Sequence, residues 1–196
     1  MNKPHIILAS TSVYRRDLLS RLGIMFDIKS PIADEHPLTG ESPTELVYRL
    51  SEAKAESIQS YYPDALIIGS DQVAVLDGDV LGKPGNFTAN IQQLSRAAGR
   101  QVTFLTGLCL LNTRTGQSET DVIPFSVVFR RLTATQISDY VRREKPFDCA
   151  GGFKSERLGI ALFERMEGED PTALVGLPLI RLVTMLQRQG VDILGE

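Results

Sequence analysis

The sequence predicts an α/β fold built on a mixed sheet, and three observations carry that prediction. A run of five mostly apolar residues, His5–Ala9, leads at once into a hydroxyl-rich turn and a helical pattern. Strand-like runs then alternate with segments of helical period through the first half of the chain. In the second half two long strand-like runs adjoin across a short turn at residues 114–116, which antiparallel neighbours allow and parallel neighbours do not.

Each element has a local reason. The first strand stops at Ser10-Thr11-Ser12, and Ser12 is an N-cap for a helix over residues 13–22. Leu18, Leu19 and Leu22 share one face of that helix, and Gly23 ends it. The turn points backbone N–H groups and the positive end of the helix dipole at whatever lies above it, an anion site. Arg15 and Arg16 stand in the first turn, where the dipole favours acids, and a bound anion would relieve that conflict. Residues 25–30 alternate like a strand. Residues 31–43, with three prolines, Gly40 and the acids Asp34, Glu35 and Glu41, read as a loop. Ser42-Pro43-Thr44-Glu45 is a capping box with proline at the first helical position. It opens a helix to about residue 60, with Leu46, Leu50 and Ala53 on its apolar face and Lys54 along it.

Residues 65–76 form an apolar strand interrupted by Gly69-Ser70-Asp71-Gln72, and Asp77-Gly78 signals a hairpin. Residues 86–98 are helical up to Gly99, residues 102–111 are a strongly apolar strand, and residues 122–130 alternate as a second long strand. Thr133-Ala134-Thr135-Gln136 caps a helix through about residue 143, before Pro146. Beyond Gly151-Gly152 a strand is expected near residues 160–163. A final helix over residues 178–189 then turns Leu179, Leu182, Val183 and Leu186 inward.

Composition narrows the function classes. The 196 residues, 42% hydrophobic and 23% charged, suit one domain over residues 1–196 with a sizeable core, or two small lobes sharing one. No apolar run approaches the roughly 20 residues of a membrane helix, and the stretch after Met1-Asn2-Lys3-Pro4 is too short for a signal-peptide core. A cytoplasmic protein without a membrane partner is expected. Cys109 and Cys149 have no paired spacing, and His5 and His36 lie far apart, which argues against zinc and against a disulfide framework. A metal, if used, would be a hard cation held by carboxylates. With 21 basic and 24 acidic residues the net charge is -3, which disfavours binding to a nucleic-acid polymer but leaves room for a local cationic pocket. There is no Trp, so an aromatic platform must come from Tyr or Phe.

Asp71 is the conspicuous residue, a carboxylate set inside an apolar strand. A charge buried there needs a partner, a metal or a reacting water, although capping of a strand end accounts for Asp71 equally well. Glu35 on the proline-flanked loop, Lys54 on a helix that should pack beside the sheet, and Lys83 in Leu81-Gly82-Lys83-Pro84 are further candidates. Each taken singly has the ordinary reading of a solvated side chain.

Taken together, LASTSVYRRDLL, the Asp34-Glu35 pair before a proline, AKA, IIGSDQV, LGKP, DCAGGF and LVGLPL occur in one order along residues 7–190. In that order they resemble the Maf family of nucleoside triphosphate pyrophosphatases. The resemblance implies a mixed twisted sheet with flanking helices and two lobes around a central cleft, as in the Maf and inosine triphosphate pyrophosphatases. It also implies a divalent cation, Mg2+ or Mn2+, a homodimer, and hydrolysis of a nucleoside triphosphate to the monophosphate and pyrophosphate. By the same resemblance Asp71 accepts the proton of the attacking water, and Glu35 with Asp71 helps hold the metal. Ser10, Ser12, Arg15, Lys54 and Lys83 are then suited to the phosphate oxygens, the arginine with a bidentate grip.

Departures from the commoner family pattern bear on the base. Members resembling pyrimidine triphosphate pyrophosphatases open with Ser-Pro-Arg-Arg, place Thr after the Asp and carry Gln in the late motif. Here Ser12-Val13-Tyr14-Arg15, Gln72, and Glu156 within FKSERLG stand in those places, and they resemble the branch that hydrolyses 7-methylguanosine triphosphate. Methylation at N7 makes the guanine ring cationic. Tyr14 removes a cation and offers a ring face, worth about 0.5–2 kcal/mol to a cation above it. Glu156 is suited to accept hydrogen bonds from the N1–H and N2–H2 edge of guanine, and a good bidentate base contact discriminates by about 1–3 kcal/mol. The contact of Gln72 is left unassigned. A pyrimidine triphosphatase, or a nucleotide-binding regulator acting through protein contacts, are the alternatives.

Overall fold

The computed structural model describes residues 4–195. A seven-stranded mixed sheet runs through it in the order β2-β1-β3-β5-β6-β7, with β4 pairing β3 off that path. The strands are β1 (His5–Ala9), β2 (Asp27–Lys29), β3 (Ala65–Leu76), β4 (Asp79–Leu81), β5 (Gln101–Asn112), β6 (Gln117–Phe129) and β7 (Phe163–Glu167). β1 is parallel to β2 and β3, and every pairing beyond β3 is antiparallel. The parallel half requires crossover helices, whereas in the antiparallel half β3–β4 and β5–β6 are hairpins and the β3–β5 and β6–β7 pairs are joined through intervening helices.

The helices are α1 (Val13–Ser20), α2 (Pro43–Glu56), α3 (Phe87–Ala97), α4 (Ala134–Glu144) and α5 (Leu179–Arg188). The period of two sorts the strand side chains onto two faces. Ile6 and Leu8 of β1, Leu66 and Ile68 of β3 and Leu108 and Leu110 of β5 bury against α1 and α5. Further along that face Ala74, Leu76, Phe104, Val127 and Phe129 form a second core with α3, α4 and Phe153. The opposite face carries α2, whose Val47, Leu50 and Ala55, with Ile58 just beyond its end, cover Ile7, Ile67, Val73 and Cys109. Two lobes, each with its own core, thus share one set of long central strands.

The N-caps read from the sequence are present at Ser12, Ser42 and Thr133, the last two as full capping boxes. Three expectations are corrected. α2 ends at Glu56, and the chain continues through a separate 3-10 turn at Gln59–Tyr61. The apolar run expected as a strand at 160–163 instead winds as a 3-10 turn, Leu158–Leu162, with Ile160 exposed, and the edge strand β7 follows with a polar sequence. In α5 it is Met185, and not Val183, that joins Leu179, Leu182 and Leu186 in the core.

β6 begins five residues before the alternating pattern at 122. Its opening, Gln117-Ser118-Glu119-Thr120-Asp121, looks too polar for a strand. Arg181 of α5 donates Nη2 to Glu119 at 2.8 Å and Nε to Asp121 at 2.9 Å, and Thr120 bonds Glu52 of α2 at 2.9 Å. Tertiary partners supply what the local sequence lacks.

Candidate functional site

The cleft between the lobes follows from how β3 is paired. Its first five residues, Ala65 to Gly69, are bonded to β1, and Ala74 to Leu76 are bonded to β4. Between them Ser70, Asp71, Gln72 and Val73 have a neighbour only in β5. That gap in the sheet edge opens a cleft of about 660 Å³, flanked by the turn after β1 and by Gly82-Lys83 after β4. All ten residues singled out from the sequence line it. They are Ser10, Ser12, Tyr14, Arg15, Glu35, Lys54, Asp71, Gln72, Lys83 and Glu156.

Alternation along β3 sends Asp71 toward α2 and sends Ser70 and Gln72 to the other face. α2 comes close enough to meet Asp71 because Gly69 and Gly107 have no side chains. A Cβ on Gly69 would lie 2.9 Å from the Ala55 amide nitrogen, and one on Gly107 would lie 2.7 Å from the Val47 carbonyl carbon. Lys54, one residue before Ala55, is thereby buried to 6% exposure, and its Nζ lies 2.6 Å from Asp71 Oδ1 and 2.7 Å from Glu35 Oε1. The hydrogen bond from Lys54 holds the Glu35 carboxyl below its ordinary range, against a desolvation that pushes the other way.

Glu35 reaches Lys54 because its loop is fastened to α2. Arg49 donates Nε to Glu41 Oε1 at 2.6 Å and Nη2 to Glu41 Oε2 at 2.9 Å, and it also donates to the His36 carbonyl at 3.1 Å. The bond from Arg49 drives Glu41 down to about 2.

The turn after β1 is ordered by its own hydroxyls. Ser10 Oγ accepts from the Ser12 amide at 3.1 Å, and Ser12 Oγ caps α1 by accepting from the Arg15 amide at 3.4 Å. The Arg15 guanidinium is drawn inward, with Nε donating to the Gly176 carbonyl at 2.8 Å. Burial lowers its pKa while Asp71 and Glu35 pull it back up, and an arginine stays charged in either case. Lys83 lies exposed on the facing rim.

Tyr14, the neighbour of Arg15 in the first turn of α1, faces the other lobe. Cys149 Sγ lies 3.9 Å from its hydroxyl. Burial first, then the neighbouring Cys149 and the Asp148 and Glu156 carboxylates, raise the phenol pKa, so Tyr14 stays neutral. Burial and Asp148 likewise push the Cys149 thiol up to about 11, which leaves it protonated and a poor nucleophile. Glu156 is exposed on a tight turn closed by hydrogen bonds from the Arg157 and Gly159 amides to the Lys154 carbonyl, at 3.2 and 3.1 Å. Gln72 spends its amide group on the protein itself, donating to the Ala173 carbonyl at 2.7 Å, Leu174 at 3.2 Å and Thr106 Oγ1 at 3.0 Å.

Sequence reasoning missed Asp148, Ser155, Phe104 and Phe153, all of which line the cleft. Phe104 and Phe153 pack edge to face at 5.3 Å and form an aromatic floor. Asp148 stands at the head of DCAGGF, and its signal in the sequence is that of the one acid in that motif.

The arrangement can do two things. One region holds Arg15, Lys54 and Lys83 beside two carboxylates, the residues needed to grip an oligoanion and to place a water against it. The adjoining region holds a neutral tyrosine between two acids, suited to an electron-poor ring. Among the described residues no group of three or more His, Cys, Asp or Glu is placed to hold a metal. Glu35 and Asp71 meet at the Lys54 ammonium through Oε1 and Oδ1, which leaves Oε2 and Oδ2 as two hard oxygen donors beside it. That fits a magnesium-like ion, which takes one or two carboxylates and completes its shell with phosphate oxygens and water.

Fold and cleft together define a two-lobed α/β protein of the kind seen in the Staphylococcus aureus Ham1 protein. That solved structure aligns with a TM-score of 0.53 over 94% of this chain and 99% of its own, at 14% identity, a likeness of fold. The chain belongs to the Maf family, whose model for Maf-like protein matches residues 5–189. It is 56% identical to the 7-methyl-GTP pyrophosphatase of Pseudomonas aeruginosa and 53% identical to that of Pseudomonas syringae pv. tomato, each over 97% of this chain and 99% of the relative. It is 53% identical to the 7-methyl-GTP pyrophosphatase of Nitrosococcus oceani over 97% of this chain and 96% of that one.

Proposed function

We propose that this chain is a metal-dependent nucleoside triphosphate pyrophosphatase that converts 7-methyl-GTP to 7-methyl-GMP and pyrophosphate. The observation that carries the reading is the cleft itself, where a cationic and carboxylate region adjoins Tyr14, Asp148 and Glu156. Full-length relatives named for that activity support it.

In this reading the hydroxyls of Ser10 and Ser12, together with Arg15, Lys54 and Lys83, receive the triphosphate oxygens. Arg15 has committed Nε to Gly176, so its two terminal nitrogens are the pair left to grip phosphate. Asp71 takes the proton of a water that attacks the α-phosphorus, the new P–O bond forming as the bridge to pyrophosphate breaks. Lys54 fixes Oδ1 of Asp71, which leaves Oδ2 to face the water. Glu35 and Asp71 would hold Mg2+ or Mn2+, which when bound neutralises charge developing on the phosphate oxygens. Tyr14 lies against the methylated ring, Glu156 takes the donor edge of guanine, and Gln72 contributes its remaining Oε1. The reading includes a cytoplasmic homodimer whose partner is a small nucleotide and neither a nucleic-acid polymer nor a membrane. Among the described residues no helix is long and apolar enough to cross a membrane.

The test is a nucleotide panel with Mg2+ or Mn2+. Pyrophosphate should appear far faster from 7-methyl-GTP than from GTP, UTP or dTTP. Equal or faster turnover of UTP and dTTP would replace the methylguanine reading with a pyrimidine one. Binding without turnover would favour a regulator.

A further inference from the structure

Behind the cleft, Asp170 is buried to 3% exposure and is not one of the residues that line the cleft. Its Oδ1 accepts from the Thr172 amide at 3.0 Å and the Thr172 hydroxyl at 2.6 Å, and its Oδ2 accepts from the Ile180 amide at 2.8 Å. Thr172 Oγ1 in turn accepts from the Leu179 amide at 2.7 Å. One carboxylate therefore caps both the 3-10 turn Pro171–Val175 and the first turn of α5. The chain between those two caps is clamped at both ends.

That clamped segment presents carbonyls toward the site. Gly176 O accepts from Arg15 Nε at 2.8 Å and from Ser70 Oγ at 3.0 Å, and the Ala173 and Leu174 carbonyls hold Gln72. Both neighbours of Asp71 on β3, and the arginine assigned to phosphate, thus hang on one stretch of backbone. We infer that Asp170 is a positioning residue for the triphosphate grip, acting through the Gly176 carbonyl to aim the terminal nitrogens of Arg15. The inference rests on the proposed function and adds to it a residue that never touches substrate.

The test uses the full chain and inorganic tripolyphosphate, which has no base, with binding read by calorimetry and 7-methyl-GTP turnover read alongside. D170N keeps the shape but turns a donor toward Ile180 or Thr172, and T172V removes the hydroxyl that links the two caps. Each should weaken tripolyphosphate binding about 10-fold, in the range a misplaced clamp costs, with KM rising more than kcat falls. Loss of a negative charge at Asp170 would by itself favour an anion, so the expected sign is opposite to plain electrostatics. In an R15A background either substitution should cost less than about twofold further, because the effect runs through that side chain. The same loss with and without Arg15, or no loss in T172V, would overturn the inference while the proposed function stands. If D170N fails to fold, T172V decides alone. Failure of the unaltered chain to bind tripolyphosphate or to hydrolyse any nucleoside triphosphate would overturn the proposed function and this inference with it.

Discussion

Replacing Lys54 by Met keeps most of the aliphatic volume and removes only the ammonium, so it isolates the charge at the centre of the site. Lys54 bridges Asp71, whose side chain is 13% exposed, and Glu35, whose side chain is 64% exposed. The Glu35 arm is solvated, worth no more than about 1 kcal/mol, because its carboxylate can turn to water. The Asp71 arm is different. Stripping one partner from a buried pair costs about 3–5 kcal/mol, and the remaining exposure together with the Arg15 charge points to the lower end. A loss near 3 kcal/mol, at about 2–4 °C per kcal/mol for a chain of this size, lowers Tm by about 6–12 °C. Thermal unfolding followed by circular dichroism at pH 7 measures it. The drop should persist in 0.5 M salt, since buried charges are poorly screened. Adding Asp71→Asn should recover much of the stability without restoring turnover. A Tm within about 2 °C of the unaltered protein, or a double variant less stable than Lys54→Met, would refute the buried pair.

Four further outcomes follow from the same geometry. Asp71→Ala should abolish pyrophosphate release while calorimetry still detects nucleotide binding; retained turnover would remove its role as proton acceptor. Tyr14→Arg combined with Glu156→Gln should move the ratio of 7-methyl-GTP to UTP turnover toward the pyrimidine, and an unchanged ratio would show that these positions do not choose the base. Gly107→Ala should cost about 1–3 kcal/mol of stability or more, read as a lowered Tm, because the new methyl meets the Val47 backbone and the helix must lift. Glu41→Gln should be less stable than the unaltered protein at neutral pH. The folded-state pKa of Glu41 is depressed to about 2 from an ordinary 4.5, so its contribution is complete above 4.5 and fades as pH falls toward 2. The gap in Tm between the two proteins should close over that window, and a gap constant with pH would contradict the Arg49–Glu41 clasp.

What the sequence discloses about this fold is what the chain states locally. Ser12, Ser42 and Thr133 announce their helices because a cap needs a hydroxyl at one position. Asp71 stands out because a carboxylate within an apolar strand conflicts with its surroundings. Polar residues 117–121 and the turn at 158–162 mislead for the converse reason: their state is set by Arg181 and by burial of Leu162, neither of which is local. The carbonyls of Ala173, Leu174 and Gly176 leave no trace in residue type, because every residue has one. Nor does the cleft, which exists because β1 stops pairing at Gly69 and β4 starts at Ala74.

A cleft made by a gap in strand pairing has a consequence for how substrate choice can change. The groups assigned to phosphate stand on backbone that pairing and packing hold: Asp71 on β3, Lys54 on α2 seated over Gly69 and Gly107, Arg15 tied to Gly176. The groups assigned to the base stand on the rim, with Tyr14 facing Cys149 and Glu156 on an exposed turn. Tyr14 and Arg15 are consecutive, yet one side chain meets the lobe carrying Cys149 and the other the segment carrying Gly176. A substitution at Tyr14 therefore alters what the ring of a nucleotide meets and leaves the hydrogen bonds that aim Arg15 in place. In the proposed reading, base choice and phosphate chemistry part at the single peptide bond between Tyr14 and Arg15, so the one can change while the other is kept.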